Sequence, residues 1–574
     1  MRKRMLFAAL FAAGLLLTAC SSDNDVIQEN PSLDSKFDVN GNAYVKIAIN
    51  TPTTRGTRAN ENYANGTAEE YAVKDAVLVL FNGTSADEDN ATFVSASKMD
   101  NHVAQGSSNI RISDKILFTQ QINKGHANLA GASGLLAFLV VNHNEKFAVA
   151  DDHSLKINGS TFSGKFSELK ALTLDEIGST ATGLLMTNAP MSSKPGKGVS
   201  PAGANITYLT EIAAADIYNS ESDAYNGSRF IDIFVERAAA KVDVTTSSAS
   251  GTLIDGTVSY NQAGIKWTIE NYNTTYYLER HISNSYFGSK SANLPTDNYR
   301  FVDSQPVETS FSLYRTYWAE DHNMNAAPDN TATAKLTQPV VTGWNAAGAV
   351  QYIAENTVDQ NSLKQGCTTR VVLAVPFNDA SDFYTSSFTG ADAIYSPTDM
   401  RAATVTFIKT LSSYETWKAS NSTYEITDVT FDYDATGLAH VETITASGGS
   451  STDAIKTQAN EKAQFSFYKG GLAYYKVLIK HFGDDETPLS TTVAGTGYND
   501  IYGSVEADRT HNFLGRYSVV RNNWYNIDLQ GIKHIGKPSV PDLPTDTPDD
   551  EIDAYLKVRI NVLSWAKRTQ EVTL

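Results

Sequence analysis

"YLKVRINVLSW", residues 555–565, is among the clearest strand signals in the chain, and it lies almost at the end. Leu556, Val558, Ile560 and Val562 alternate with Lys557, Arg559 and Asn561, the period-2 pattern of a strand that buries one face and wets the other. An acidic, proline-spaced run, "PSVPDLPTDTPDDEID" (538–553), sets it apart from everything before. Pro538, Pro541, Pro544 and Pro548 favour an extended tether, and Asp542, Asp546, Asp549 and Asp550 are expected to keep it solvated. A patterned strand on such a leash reads as a strand meant for another molecule.

Working outward, short β-branched and aromatic runs recur between clusters of Gly, Asn, Asp and Ser. They include "AVLVLF" (76–81), "GLLAFLVVN" (134–142), "RFIDIFVERAAAKVDVT" (229–245), "TRVVLAVPF" (369–377), "YYKVLIKHF" (474–482) and "WYNIDL" (524–529). This is the spacing of antiparallel sandwiches, not of strands alternating with helices. Helical periodicity is rare; the best candidate is "FSELKALTLDEIG" (166–178), with Phe166, Leu169, Leu172 and Ile177 near one face. No convincing short repeat is visible, and a domain boundary is expected close to Phe234.

At the other end, Arg2, Lys3 and Arg4 precede an apolar run from Leu6 to Leu17, the layout of a secretory signal and too short for a membrane span. Leu17-Thr18-Ala19-Cys20 has the form of a bacterial lipobox, in which cleavage before Cys20 leaves a thiol that receives the lipid. Several acyl chains on Cys20 make a stable anchor, so the outer membrane is a partner during export. "SSDND" after it resembles the acidic start of lipoproteins sent to the cell surface. The other cysteine, Cys367, has no second cysteine to pair with in the mature chain. Stability rests on the core, for which 574 residues that are 41% hydrophobic and 19% charged suffice. A net charge of -18 argues against nucleic acid as a partner.

The stretch "NAYVKIAINTPTTRGTRANENYANG" (42–66) begins with a second one-sided strand, Val45, Ile47 and Ile49 alternating with Lys46, Ala48 and Asn50. Polar turn residues follow, with Arg55 and Arg58 among them, where an arginine-specific protease can reach the chain.

Motifs that carry chemistry are scarce in the chain. The ten histidines show no HxH, HExxH or Cys/His spacing, so no metal site and no cofactor are indicated. There is no Gly-rich phosphate loop and no nucleophile elbow. Asp484-Asp485 reads as a solvated turn, and Cys367 as a small buried hydrophobe. No catalytic residue is assigned.

Several blocks carry a resemblance. "IFVERAAAKVDV" (233–244) resembles the Val-Glu-Arg-x-x-Ala-Lys-Val element of Bacteroidales fimbrillins, the subunits of type V pili. "YIAENT" (352–357), "TTRVVLAV" (368–375), "YKGGLAYYKVLIKHF" (468–482) and "GRYSVVRNNWYNIDLQGIKHIGKP" (515–538) resemble further blocks of the Mfa-type stalk fimbrillins, in the same order. "GLLMTNAP" (183–190) resembles their Met-Thr element.

The resemblance implies an all-β chain of two transthyretin-like β-sandwich domains in tandem with a protruding C-terminal donor strand. It divides the chain into a lipoprotein signal (1–19), a lipidated pro-segment with a removable strand at about 44–50 (20–58), an N-terminal sandwich (59–234), a C-terminal sandwich (235–538), a Pro/Asp linker (539–554) and the donor strand (555–574). In this reading Val45, Ile47 and Ile49 leave after cleavage at Arg55 or Arg58. Leu556, Val558, Ile560, Val562 and Trp565 of another copy take their place. The implied partners are other copies, anchor and tip subunits, an arginine-specific surface protease, and a host or bacterial surface receptor. The implied location is a cell-surface fimbria reached through an outer-membrane lipoprotein intermediate. The alternative from another class is a surface glycan-binding lipoprotein of a polysaccharide-uptake system; a glycoside hydrolase is a third reading.

Overall fold

The computed structural model describes residues 32–50, 66–99, 115–129, 132, 134–195, 206–247, 249–254, 256, 258–282, 302–303, 312–324, 343–358, 362–482, 515–544, 547–549, 556–564 and 568–571. Strands stacked into sandwich-like layers dominate them, the all-β architecture that the residue pattern predicts.

In the first half, strands Ala76–Asn82 and Gly134–Val141 pair antiparallel. Residues 76–81 and 134–141 carry no polar side chain because both faces are covered. Val77, Val79 and Phe81 enter one buried cluster, and Ala76, Leu78 and Leu80 enter another. The sheet runs in the order Ile217–Tyr218, Asn42–Asn50, Ile231–Arg237, Met186–Asn188, Gly134–Val141, Ala76–Asn82, Thr92–Lys98. Lys115–Asn123 pairs with Asn42–Asn50, and Thr210–Ala213 with Gly134–Val141. The strand Asn42–Asn50 shares a core with Leu78, Leu80, Leu135 and Leu139.

The chain crosses to the second sandwich at Ala238 and Ala239, both fully buried. Strand Ile231–Arg237 stays with the first sheet, and Ala240–Thr245 opens the second. One sheet there runs Val350–Ile353, Ala240–Thr245, Asn523–Ile532, Leu556–Ser564, Arg568–Glu571, and the facing sheet Asn345–Ala346, Lys266–Glu270, Arg370–Pro376, Leu472–Leu478. Val242, Val244, Trp267, Leu373, Tyr525 and Ile527 fill the space between them. The first half does not close its own core: Tyr276, Leu278, Trp318, Phe482 and Val520, all from beyond residue 235, join the cluster of Val77, Val79 and Phe81.

Two readings change. The helix expected over 166–178 is confined to Phe166–Lys170, because Thr173–Leu174 pairs instead with Tyr276–Tyr277. The longer helices lie in a module spanning 383–468: Pro397–Ile408, Ser412–Ser420 and Asp453–Lys462, packed on a five-stranded sheet. The first carries its own start signal, since Ser396 accepts a hydrogen bond from the Asp399 N–H and Pro397 occupies the first turn.

Candidate functional site: the leading and terminal strands

The leading strand, Asn42–Asn50, is an interior element. Along its whole length it pairs antiparallel with Lys115–Asn123, from Asn42↔Asn123 to Asn50↔Lys115. On its other side it runs antiparallel to Ile217–Tyr218 and then parallel to Ile231–Arg237, Ile47 facing Ile231 and Ile49 facing Ile233. Val45, Ile47 and Ile49 are 0% exposed. The face expected to be wet stays partly exposed at Tyr44 and Lys46 but is covered at its end, where Ala48 is 0% and Asn50 7% exposed.

Polar groups fix its position along the groove. The Lys46 ammonium donates to the carbonyls of Tyr225 and Gly227, each at 3.1 Å, at the end of the short helix Glu221–Asn226. The Asn50 amide donates to Asp232 at 2.9 Å. Upstream, the Asp38 carboxylate accepts from the Asn40 and Asn42 N–H groups, both at 2.8 Å. Asp34 pairs with Lys124 at 2.9 Å, which holds the Asp34 carboxyl below the usual range. Leu33 and Phe37 add to the same core as the strand.

Beyond the segment 51–65 the chain is fastened again by Glu70. Its carboxylate lies 2.7 Å from the Lys241 ammonium and accepts from the Tyr352 hydroxyl at 2.6 Å and the Thr67 N–H at 2.8 Å. Burial pushes its pKa up, but these donors outweigh it and hold the carboxyl below its ordinary value. The Arg237 guanidinium donates to the Glu70 carbonyl at 2.7 Å, and Lys241 lies 3.9 Å over the Trp524 ring. Glu236 pairs with Arg280 at 2.7 Å. The charged residues of "VERAAAKV" are thus buried and paired where one sandwich passes to the next.

The terminal strand, Leu556–Ser564, follows its tether and does not stand free. It runs antiparallel along Asn523–Ile532, placing Leu556, Val558, Ile560 and Val562 opposite Ile532, Leu529, Ile527 and Tyr525, all four of the latter fully buried. Arg568–Glu571 pairs on its outer side.

Where it is described, the tether is fastened down and not a free leash, although Asp542 stays exposed as its composition predicts. Arg370, which also pairs with Glu270 at 2.7 Å, donates to the carbonyls of Pro541 and Asp542. The Gln365 side chain donates to the Pro548 carbonyl at 3.1 Å, and Asp549 is 1% exposed. The tether's backbone carbonyls find donors on the sandwich, and this binds it down against the pull of its charges toward water.

Cys20, Arg55, Arg58, Trp565 and the Asp484-Asp485 pair lie outside the described residues. Cys367 is half-buried against Val358 and Leu363. Among the described residues, no group of three or more His, Cys, Asp or Glu is placed to hold a metal ion, and no helix is long and apolar enough to cross a membrane. Lys46, Asn50 and Glu70 escaped the sequence reading: each is an ordinary polar residue until a particular carbonyl, carboxylate or ammonium is brought to it.

A β-sandwich chain built around a docked leading strand and an added terminal strand is defined by its strand pairings, and comparison with known proteins places it further. Residues 495–571, which include the terminal strand and its partner Asn523–Ile532, match the family model described as major fimbrial subunit protein type IV, fimbrillin, C-terminal. Over those residues the match agrees with the resemblance to fimbrillins. Members of that family are structural pilus subunits and not enzymes. No curated protein matches the chain. Among solved structures, the chain is similar to a fimbrilin (FimA) from Porphyromonas gingivalis W83, at 12% identity and TM-score 0.32 over 91% of this chain and 97% of that one. It is also similar to the tip fimbrial protein Mfa3 from Porphyromonas gingivalis with C-terminal truncation, at 11% identity and TM-score 0.31 over 91% and 100%.

Proposed function

We propose that this chain is a structural subunit of a cell-surface fimbria, exported as a lipoprotein on Cys20 and cut after Arg55 or Arg58. It then polymerises head-to-tail, the terminal strand of one copy filling the place of the leading strand in the next. The observation that carries this reading is the burial of Val45, Ile47 and Ile49 in a strand that leads directly into the arginine-bearing segment. While the chain is intact, the strand is held at an effective concentration on the order of mM, and no outside strand competes. A cut at Arg55 or Arg58 turns it into a separate peptide. Its departure opens both a hydrophobic groove and the edges of Lys115–Asn123 and Ile231–Arg237.

Filling that vacancy by β-strand addition supplies backbone ladder bonds and side-chain pockets together. Each buried aliphatic side chain contributes about 1.5–3 kcal/mol, and each ladder hydrogen bond about 0.5–1.5 kcal/mol. Donor and acceptor surfaces differ, so the contact repeats into a filament and does not close as a dimer. The fibre supports adhesion and biofilm formation, with anchor and tip subunits at its ends and a host or bacterial surface as its target.

The test uses purified precursor lacking residues 1–20, treated with an arginine-specific protease and followed by light scattering and mass spectrometry. A new N-terminus after Arg55 or Arg58, with SDS-resistant ladders that vanish in a Val558→Asp, Ile560→Asp variant, supports the reading. Clean cleavage without growth at any concentration overturns it and leaves a glycan-binding lipoprotein as the better account.

A further inference from the structure

The terminal strand repeats the leading strand residue by residue. Aligned without a gap, "NAYVKIAIN" (42–50) and "DAYLKVRIN" (553–561) are identical at Ala43/Ala554, Tyr44/Tyr555, Lys46/Lys557, Ile49/Ile560 and Asn50/Asn561. Val45/Leu556 and Ile47/Val558 exchange one branched aliphatic for another, and Asn42/Asp553 differ by an amide. Alternation alone would make a strand; it does not call for the same lysine, tyrosine and asparagine at the same offsets. In the leading strand two of these residues are the ones that fix position, Lys46 on the carbonyls of Tyr225 and Gly227, and Asn50 on Asp232.

We propose that the terminal strand of a second copy enters the place of the leading strand in the register set by this repeat. Lys557 then takes the carbonyls of Tyr225 and Gly227, and Asn561 takes Asp232. Ala554, Leu556, Val558 and Ile560 occupy the positions of Ala43, Val45, Ile47 and Ile49. This rests on the strand-exchange reading above and adds its register and its anchors.

One position differs in kind. Arg559 falls where Ala48 stands, and Ala48 is the register partner of Asp232. The incoming strand therefore brings a cation beside a carboxylate where the leading strand offers a fully buried methyl group, so the chain covering Ala48 must draw back to admit Arg559, and opposite charges on neighbouring strands then favour the pairing. Exchange gains a contact in the forward direction that its reversal loses. A slip of two residues would retain the alternation and put Arg559 at Lys46, but it would set Leu563 at Asn50, opposite the groove's polar end. The repeat disfavours that slip.

The test maps the register in the growing polymer. Precursors lacking residues 1–20 and carrying Cys367→Ser are made with Leu117→Cys, the register partner of Ala48. They are mixed with copies bearing Lys557→Cys, Arg559→Cys or Asn561→Cys, cut with the arginine-specific protease and oxidised. The proposal expects the 117–559 cross-link, counted per joint formed so that slower growth of the Lys557→Cys and Asn561→Cys copies does not enter, to exceed the other two by about tenfold. Growth with the 117–557 or 117–561 link dominant overturns the register while exchange itself stands; failure of the unsubstituted chain to grow overturns exchange. Lys557→Met should slow growth about tenfold and Lys557→Arg should restore it, since a charged hydrogen bond is lost and regained. Equal growth of Lys557→Met and the parent overturns the anchoring.

Discussion

Glu70 shows how one side chain binds distant parts of the chain. It meets Lys241 and Tyr352 from the second sandwich, while its carbonyl takes Arg237 from the last strand of the first. Glu70→Ala leaves the Lys241 ammonium, 5% exposed, without its carboxylate, and breaking such a buried pair costs about 3–5 kcal/mol. A correspondingly lower denaturant midpoint in equilibrium unfolding checks this, with Glu69→Ala as the exposed control. Glu88 carries a pH dependence. Burial pushes its pKa up to about 7, against the Tyr208 and Leu209 N–H groups that donate to it. Burial also pushes Asp321 up to about 8. Their folded pKa values exceed the unfolded ones, so the native state holds protons that the unfolded chain has released between about pH 4 and 8. Stability conferred by these groups therefore falls as pH rises through that window, by at most about 3 kcal/mol for Glu88. Unfolding midpoints measured from pH 5 to 8 should decline, and Glu88→Gln should flatten the slope.

Among the elements, the strands were the legible part. "AVLVLF" and "GLLAFLVV" read as buried strands because continuous apolar runs of that length fit a sheet covered on both faces. The helices of 397–462 were not legible, because their buried positions, Met400, Thr404 and Ile408 in the first, include a threonine and make only a thin stripe. The leading strand's alternation was legible, and the coverage of its second face was not, since Ala48 looks alike in water and beneath a neighbour. An element-scale prediction separates its two states. Ile47→Ala should cost about 2–5 kcal/mol in the intact precursor, as truncation of a buried aliphatic does. Once the precursor is cut and the place is refilled from another copy, the same substitution should leave polymer stability unchanged, whereas Leu78→Ala should weaken both forms. Thermal melts of precursor and polymer check the difference.

For the whole molecule, the placement of the terminal strand on Asn523–Ile532 gives it two homes, one on its own sandwich and one in a neighbour. Deleting 555–574 leaves Asn523–Ile532 paired with Ala240–Thr245 and its apolar side chains packed on the facing sheet. The truncated chain is therefore predicted to fold and to elute as a monomer with a lower melting temperature. It should also fail to extend filaments. Circular dichroism and size-exclusion light scattering read both outcomes, and loss of folding would mean that the strand is integral to its own sandwich.

The sequence by itself determined the local properties: alternation, apolar runs, the export signal, the arginine-bearing segment and the proline-spaced tether, because each depends only on neighbouring residues. It also contained the repeat of 42–50 at 553–561, which corrects the expectation that no short repeat is present and which gained meaning once Lys46 and Asn50 were seen holding their partners. Only the tertiary structure decided that Trp318 and Phe482 close the first half's core, and that Asp549 is buried. Those outcomes turn on which distant backbone and side-chain groups meet, and a carboxylate or a lysine is solvated or anchored according to that meeting alone.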